Sequence, residues 1–257
     1  MADLKKQIDT VPTKPTLDII LVGNDPSSLK YVSLKQKRAK EIGVGGQIHR
    51  LPENADYGAI STLINKLNAL SSVTGLMVQL PLPPHLDTPK ILNLIDPHKD
   101  ADGLTATNLC LLFQNSPQAI PSATAAGVLK LLEQYQIPTS GKNAVIINRH
   151  PHIGLPLSAL LLSRDCTVTI CHHLTENLPQ ICQTADILIT AASQPNLITK
   201  QYIKAQAVII DIAVDVNFEE VAPLSSFITP PLGGVGPMTV ASLLQNTANI
   251  FKKQTKV

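Results

Sequence analysis

The sequence predicts an α/β protein of two domains, each built on a parallel sheet. Three observations carry this expectation. Short β-branched runs alternate with helix-length segments, the order that lays strands side by side in one direction. The apolar share is 44%, yet there are only four Phe and four Tyr and no Trp. The cores must therefore rest on Ile, Leu, Val and Ala, as buried parallel sheets do. At 257 residues the chain has room for two cores of ordinary size.

The elements follow in order. Leu17–Val22 reads as a strand closed by the turn Gly23-Asn-Asp-Pro26. About fifteen residues precede it, which leaves any N-terminal helix shortened or absent. Ser27 or Ser28 stands where it can cap a helix over 27–42. Ile48–Leu51 reads as a second strand, 57–70 as an amphipathic helix, 75–80 as a third strand and 89–94 as a short helix. A second unit opens near Pro121. Residues 124–135 predict a helix with Val128, Leu131, Leu132 and Tyr135 on one face. Four β-branched runs follow, at Asn143–Ile147, 167–170, Ile187–Thr190 and 207–212. That is the doubly wound, Rossmann-like nucleotide-binding pattern. A last helix covers 238–251. The expected domains are 1–118 and 119–238, with 239–257 as a closing helix.

Charge and composition remove several function classes. The net charge is +2, spread along the chain without a long basic block, which argues against a nucleic-acid or membrane surface. Scarce aromatics weaken any base-stacking model. No apolar run reaches the length of a membrane span. The start, Met-Ala-Asp-Leu-Lys-Lys, has no signal-peptide core, so a cytoplasmic location is expected. Cys110, Cys166, Cys171 and Cys182 show no CxxC spacing; buried free thiols in a reducing compartment are expected, with no structural zinc.

Three segments carry chemistry. Tyr31-Val-Ser-Leu-Lys35 places a phenol and an amine four residues apart, on one face if helical. Gly75-Leu-Met-Val-Gln79-Leu-Pro-Leu-Pro83 presents an amide at the carboxyl edge of a buried strand, where open α/β sheets keep their sites. Lys99-Asp-Ala-Asp102-Gly103 adds two carboxylates in a tight turn. Taken singly, the pair Tyr31 and Lys35 is a solvated helix face, Gln79 a polar strand end, and the Asp-Gly turn a turn former. Together they form a chemical set.

With Gly233-Gly-Val-Gly-Pro-Met-Thr239, these motifs resemble the methylenetetrahydrofolate dehydrogenase/cyclohydrolase family, in order and spacing from about residue 16 to about 250. The resemblance implies a three-layer α/β folate domain, a Rossmann-like NAD(P) domain, and a final helix that returns to the first. It implies a ligand cleft between the domains, a homodimer built through the second, and a place in one-carbon metabolism such as purine biosynthesis. It also implies roles for residues. The methenyl intermediate is a delocalised cation, beside which the ammonium form of Lys35 is disfavoured. A neutral amine can then take a proton from the attacking water. Gln79 would hold that amine, Tyr31 would lie against the ring system, and Asp102 would meet the N–H donors of the pterin. Asp100 is read as shaping the turn. Val78, Leu80, Pro81, Gly233, Gly234 and Pro237 complete the substrate set.

The cofactor segment departs from the family pattern. Where the family reads Gly-Arg-Ser-x-x-Val-Gly-x-Pro, this chain has Asn148-Arg149-His150-Pro151-His152-Ile153-Gly154-Leu155-Pro156. Two further glycines are Ser193 and Ala213, and the loop after Val214 reads as shortened. Asn is the mildest non-glycine in a left-handed turn, but its side chain occupies space. The expected cofactor contacts are Thr124, Asn148, Arg149, His150, Gly154, His173, Ser193, Ala213 and Gly236. Arg149 favours a 2′-phosphate, and hence NADP over NAD. His150, His152, His172 and His173 are read as cleft or surface histidines; as a metal site they would lack a carboxylate or thiol at ligand spacing. Three glycine losses keep an alternative open: a cyclohydrolase, or a non-catalytic folate-binding paralogue, with a degenerate cofactor site.

Overall fold

The computed structural model describes residues 1–255. The chain divides into two compact units. One comprises Met1–Cys110, Gln118–Ala123 and the segment from Val240 onward; the other comprises Leu111–Pro117 and Thr124–Thr239.

The first unit runs α1 (Ala2–Asp9), β1 (Leu17–Val22), α2 (Pro26–Glu41), β2 (Ile48–Leu51), α3 (Tyr57–Ala69), β3 (Gly75–Val78), α4 (Thr88–Leu92) and the start of α5 (Ala106–Phe113). Its parallel sheet has the order β2-β1-β3, with Ile19 opposite both Ile48 and Met77. Alternation along β1 divides the core in two. Leu17, Ile19 and Leu21 pack with α1, α2 and the last helix, while Ile20 and Val22 pack with α3 and α4. This is a three-layer α/β arrangement. A parallel bridge from Leu76 to Asp100 attaches the acidic turn to the edge of β3.

The second unit runs α6 (Ala123–Gln134), β4 (Asn143–Ile147), α7 (Gly154–Leu162), β5 (Thr167–Cys171), α8 (Leu178–Cys182), β6 (Ile187–Thr190), β7 (Val208–Asp211), α9 (Phe218–Val221) and β8 (Phe227–Ile228). All five strands are parallel, in the order β5-β4-β6-β7-β8. The strand order reverses between β4 and β6, which is the topological switch point of a Rossmann-like sheet. β6 and β7 are buried along their whole length, as a sheet covered on both faces requires. The closing helix α10 (Val235–Thr255) starts in this unit. From Val240 it lies in the first unit, packing Leu243, Leu244, Ala248 and Ile250 into that core.

Several expectations need correction. Asp25 caps α2, accepting from the Ser28 N–H at 2.7 Å, with Pro26 at the first helical position; Ser27 and Ser28 lie inside the helix. Of the two alternatives for the N-terminal helix, shortened or absent, the second is excluded: α1 has eight residues, with Leu4 and Ile8 buried. The third strand ends at Val78, so Gln79 follows it. Tyr135 is 59% exposed and meets the Phe227 ring at a tilt of 53° rather than joining the buried face of α6. Cys110 is exposed, whereas the other three cysteines are buried. Burial raises the thiols of Cys166 and Cys171, and pushes that of Cys182 up to about 12.

Candidate active site

Register brings Lys35 and Gln79 together. Met77 and Gln79 are two apart, so both aim toward α2. There Ser28, Val32, Lys35 and Ala39 form the buried stripe. Lys35 Nζ donates to Gln79 Oε1 at 2.9 Å and lies 3.7 Å from Met77 Sδ. Gln79 Nε2 donates to the Leu80 carbonyl at 2.6 Å, which leaves Oε1 to face the amine. The peptide between Leu80 and Pro81 is cis. Lys35 is 7% exposed and Tyr31 48%: the amine is enclosed and the phenol one turn earlier stands at the open margin of the same face.

Burial holds the Lys35 ammonium below the usual lysine range, and the Asp102 carboxylate works against that shift. Burial raises Asp102, with Lys35 opposing and Asp100 adding to the rise. A base that sheds its charge when enclosed can accept a proton near neutral pH.

Asp100 and Asp102 divide their work. Asp100 Oδ1 accepts from Gly103 N at 2.9 Å, and its Oδ2 accepts from Thr105 N at 2.8 Å and Asn108 Nδ2 at 3.0 Å. It is a turn builder. Gly103 has φ +67°, and a Cβ there would come to 2.4 Å from the Pro121 main chain; glycine is required. Lys99 Nζ donates to the carbonyls of Asn68 and Leu70 at 2.7 Å each, closing the C-terminal end of α3. Its positive charge suits that end of a helix. Val78 is buried, Leu80 partly so and Pro81 exposed.

In the second unit the expected cofactor residues lie on loops at the carboxyl edge of the sheet. Asn148 spans the switch-point crevice. Its Nδ2 donates to the Ala191 carbonyl after β6 at 2.7 Å, and its Oδ1 accepts from His150 N at 2.8 Å and Gly154 N at 3.1 Å. The asparagine side chain thus caps α7, whose own N-cap Ile153 offers none. Gly154 is obligatory: a Cβ would come to 1.9 Å from the Asn148 carbonyl oxygen. Arg149, His150, His173, Ser193 and Gly236 are exposed, Thr124 and Ala213 half-buried. Gly233, Gly234 and Pro237 belong to this unit, in and after the loop leading to α10.

The histidines form two pairs, His150 with His152 at 4.5 Å and His172 with His173 at 6.0 Å between ring centres. Burial, with His150 adding to it, pushes His152 down to about 4. Among the described residues no group of three or more His, Cys, Asp or Glu is placed to hold a metal.

Two buried carboxylates escaped the sequence reading. Asp215 accepts from Thr190 Oγ1, Ala192 N and Gln194 N, each at 2.7 Å. It clamps the loop after β6, in which Ser193 holds φ +55°. Asp211 accepts from Ala213 N, Asp215 N and Val216 N. Buried main-chain donors need such partners. Only the glycine-for-serine change at 193 hinted at a left-handed turn there.

An enclosed amine beside an oriented amide, and a separate doubly wound sheet, define a two-domain α/β enzyme class. The comparisons with known proteins agree. The family models described as tetrahydrofolate dehydrogenase/cyclohydrolase, catalytic domain, and the same family's NAD(P)-binding domain match residues 1–102 and 122–255. The chain belongs to the tetrahydrofolate dehydrogenase/cyclohydrolase family. It is 43% identical to the "Bifunctional protein FolD" of Thermodesulfovibrio yellowstonii, over 99% of this chain and 93% of that relative. The crystal structure of the bifunctional enzyme from Campylobacter jejuni is similar at TM-score 0.93 and 37% identity, covering 98% of this chain and 94% of that one. The Trypanosoma brucei dehydrogenase-cyclohydrolase, solved with NADP and an inhibitor, is similar at TM-score 0.94 and 32% identity, covering 100% and 94%.

Proposed function

We propose that Lys35, Gln79, Tyr31 and Asp102 carry the hydrolytic half of a bifunctional enzyme. As a member of its family, the chain oxidises methylenetetrahydrofolate to methenyltetrahydrofolate with NADP, and hydrolyses the product to 10-formyltetrahydrofolate. The observation that carries the hydrolytic assignment is the 2.9 Å contact between the buried Lys35 amine and Gln79. The amine accepts a proton from water as it attacks the one-carbon unit. Gln79 fixes its position, Asp102 receives the pterin donors and Tyr31 lies against the ring. Val78, Leu80 and Pro81 follow on the same stretch of chain, and Gly233, Gly234 and Pro237 belong to the substrate set that the family resemblance implies.

The cofactor fits the second unit at the crevice between β4 and β6. Exposed Arg149 beside the α7 N-terminus suits a phosphate, which supports NADP. The nicotinamide supplies a hydride acceptor when bound. Asn148 already takes the His150 and Gly154 N–H groups, so the phosphate end is met by Arg149, with His150 and His173 beside it. Thr124, Ser193, Ala213 and Gly236 complete the contacts. We read residues 1–118 as the folate domain, 119–238 as the NADP domain and the segment from 239 as the returning one, helical through Thr255. A homodimer, a cytoplasmic location and supply of one-carbon units to purine synthesis extend the same family reading.

The test is hydrolysis of methenyltetrahydrofolate by Lys35→Met, followed by loss of the methenyl absorbance. The rate is expected to fall about 100- to 10,000-fold, the usual worth of a general base. Unchanged hydrolysis would remove Lys35 from the mechanism.

A further inference from the structure

We propose that Asn246, on α10, is the positioning residue of Asp102. The inference rests on the assignment of Asp102 to the folate made above. Asn246 is buried, 5% exposed. Its single amide nitrogen uses both hydrogens on main-chain carbonyls, Ala101 O and Pro121 O, each at 2.9 Å. Ala101 immediately precedes Asp102. Pro121 stands two residues before Ala123, whose N–H donates to the Asp102 carbonyl at 3.1 Å. One side chain therefore ties together the two passes of chain on either side of the acidic residue.

The chain is closely packed beside Asn246. A Cβ on Gly75 would approach Ala101 Cβ at 3.1 Å and Thr247 Cγ2 at 3.4 Å. β3, the acidic turn and α10 are thus in mutual contact at this point. The turn has other supports. In the bridge to β3, Leu76 N donates to the Lys99 carbonyl at 2.7 Å and Ala101 N to the Leu76 carbonyl at 3.1 Å. Side chains of the loop add to it: Asp100 takes the Gly103 and Thr105 N–H groups, and Asn108 Oδ1 takes that of Ile120 at 3.2 Å. They shape the loop. The bridge fixes the loop against β3; Asn246 joins the Ala101 and Pro121 carbonyls to α10, and so fixes the loop on the helix side. These bonds engage the main chain around Asp102, leaving its carboxylate for a ligand. A carboxylate that binds the pterin by paired hydrogen bonds is sensitive to displacements well under a bond length.

The experiment is a double-mutant cycle on methenyltetrahydrofolate hydrolysis, with Asn246→Ala, Asp102→Asn and the pair. A displaced binding carboxylate weakens ground state and transition state alike, so Asn246→Ala is expected to raise KM about tenfold with kcat unchanged. In the Asp102→Asn background the same change is expected to have little further effect, because the group it misplaces is gone. Asn246→Ser, which keeps one donor, is expected to fall between, and carries the test if the alanine variant does not fold. An unchanged KM, a fall in kcat alone, or equal effects in both backgrounds would overturn the inference and leave Asn246 as ordinary packing. If Asp102→Asn itself leaves KM unaltered, the folate assignment falls first and the positioning role with it.

Discussion

Lys35 and Gln79 stand 44 residues apart in sequence and 2.9 Å apart in space. The amide is itself held by the Leu80 carbonyl at 2.6 Å, so its oxygen has one direction in which to point. The pair is a base with a fixed partner, set between a buried helix stripe and the end of a buried strand.

Replacing that partner by an anion changes the base. Gln79→Glu is nearly isosteric, but a carboxylate beside the amine favours the ammonium. The Lys35 pKa should rise, and proton acceptance then needs a higher pH. The acid limb of the hydrolysis profile is expected to move up by about one to three pH units. A profile that keeps its position would show that Lys35 does not act as a neutral base.

Burial of Lys35 also has a signature in stability. Its folded pKa lies below the ordinary value of about 10.4, so between the two the unfolded chain binds more protons. Stability from this group therefore rises with pH through that window and is lowest below the folded pKa. Lys35→Met keeps the stem and removes the charge. It is expected to raise the urea midpoint at neutral pH, with a gain that shrinks as pH approaches about 10. A gain independent of pH would mean that packing, not charge, sets the difference.

The buried clamp in the second unit makes a separate prediction. Asp215→Asn turns one acceptor into a donor that faces main-chain N–H or the Thr190 hydroxyl, an interaction worth losing about 2 to 4 kcal/mol. Reduced stability in denaturant and a raised KM for NADP are expected, while methenyl hydrolysis in the first unit persists. Equal loss of both activities would show that the clamp serves more than the cofactor loop.

Legibility in the sequence followed local physics. β1, β4 and β6 were readable at their observed bounds because each is rich in β-branched residues; β2, Ile-His-Arg-Leu, was readable at its bounds without that signal. α7 was not: Gly-Leu-Pro-Leu-Ser-Ala-Leu-Leu-Leu is apolar on nearly every side and carries no 3.6-residue period. β8 is two residues long, too short for any pattern. The Asp25 cap was available in principle, since Asp before Pro opens helices, but the two serines that follow offered a competing signal. Tyr31, Lys35, Gln79 and Asp102 were singled out through motif order, and the structure brings Lys35 and Gln79 of these into contact. Asp211, Asp215 and Asn246 were missed because their partners, apart from the Thr190 hydroxyl on Asp215, are main-chain atoms, which a sequence does not mark.

The first core is assembled from both ends of the chain. Leu17, Ile19 and Val32 pack with Leu243, Leu244 and Ala248, and nearly all of the second unit lies between them in sequence. A nascent chain thus makes its first strands early yet cannot seal them until α10 has been synthesised. The second unit, continuous from Thr124 to Thr239 except for one short segment, has every strand of its sheet before that moment. Contacts of long sequence separation close slowly, so the part of the molecule made first is the part finished last.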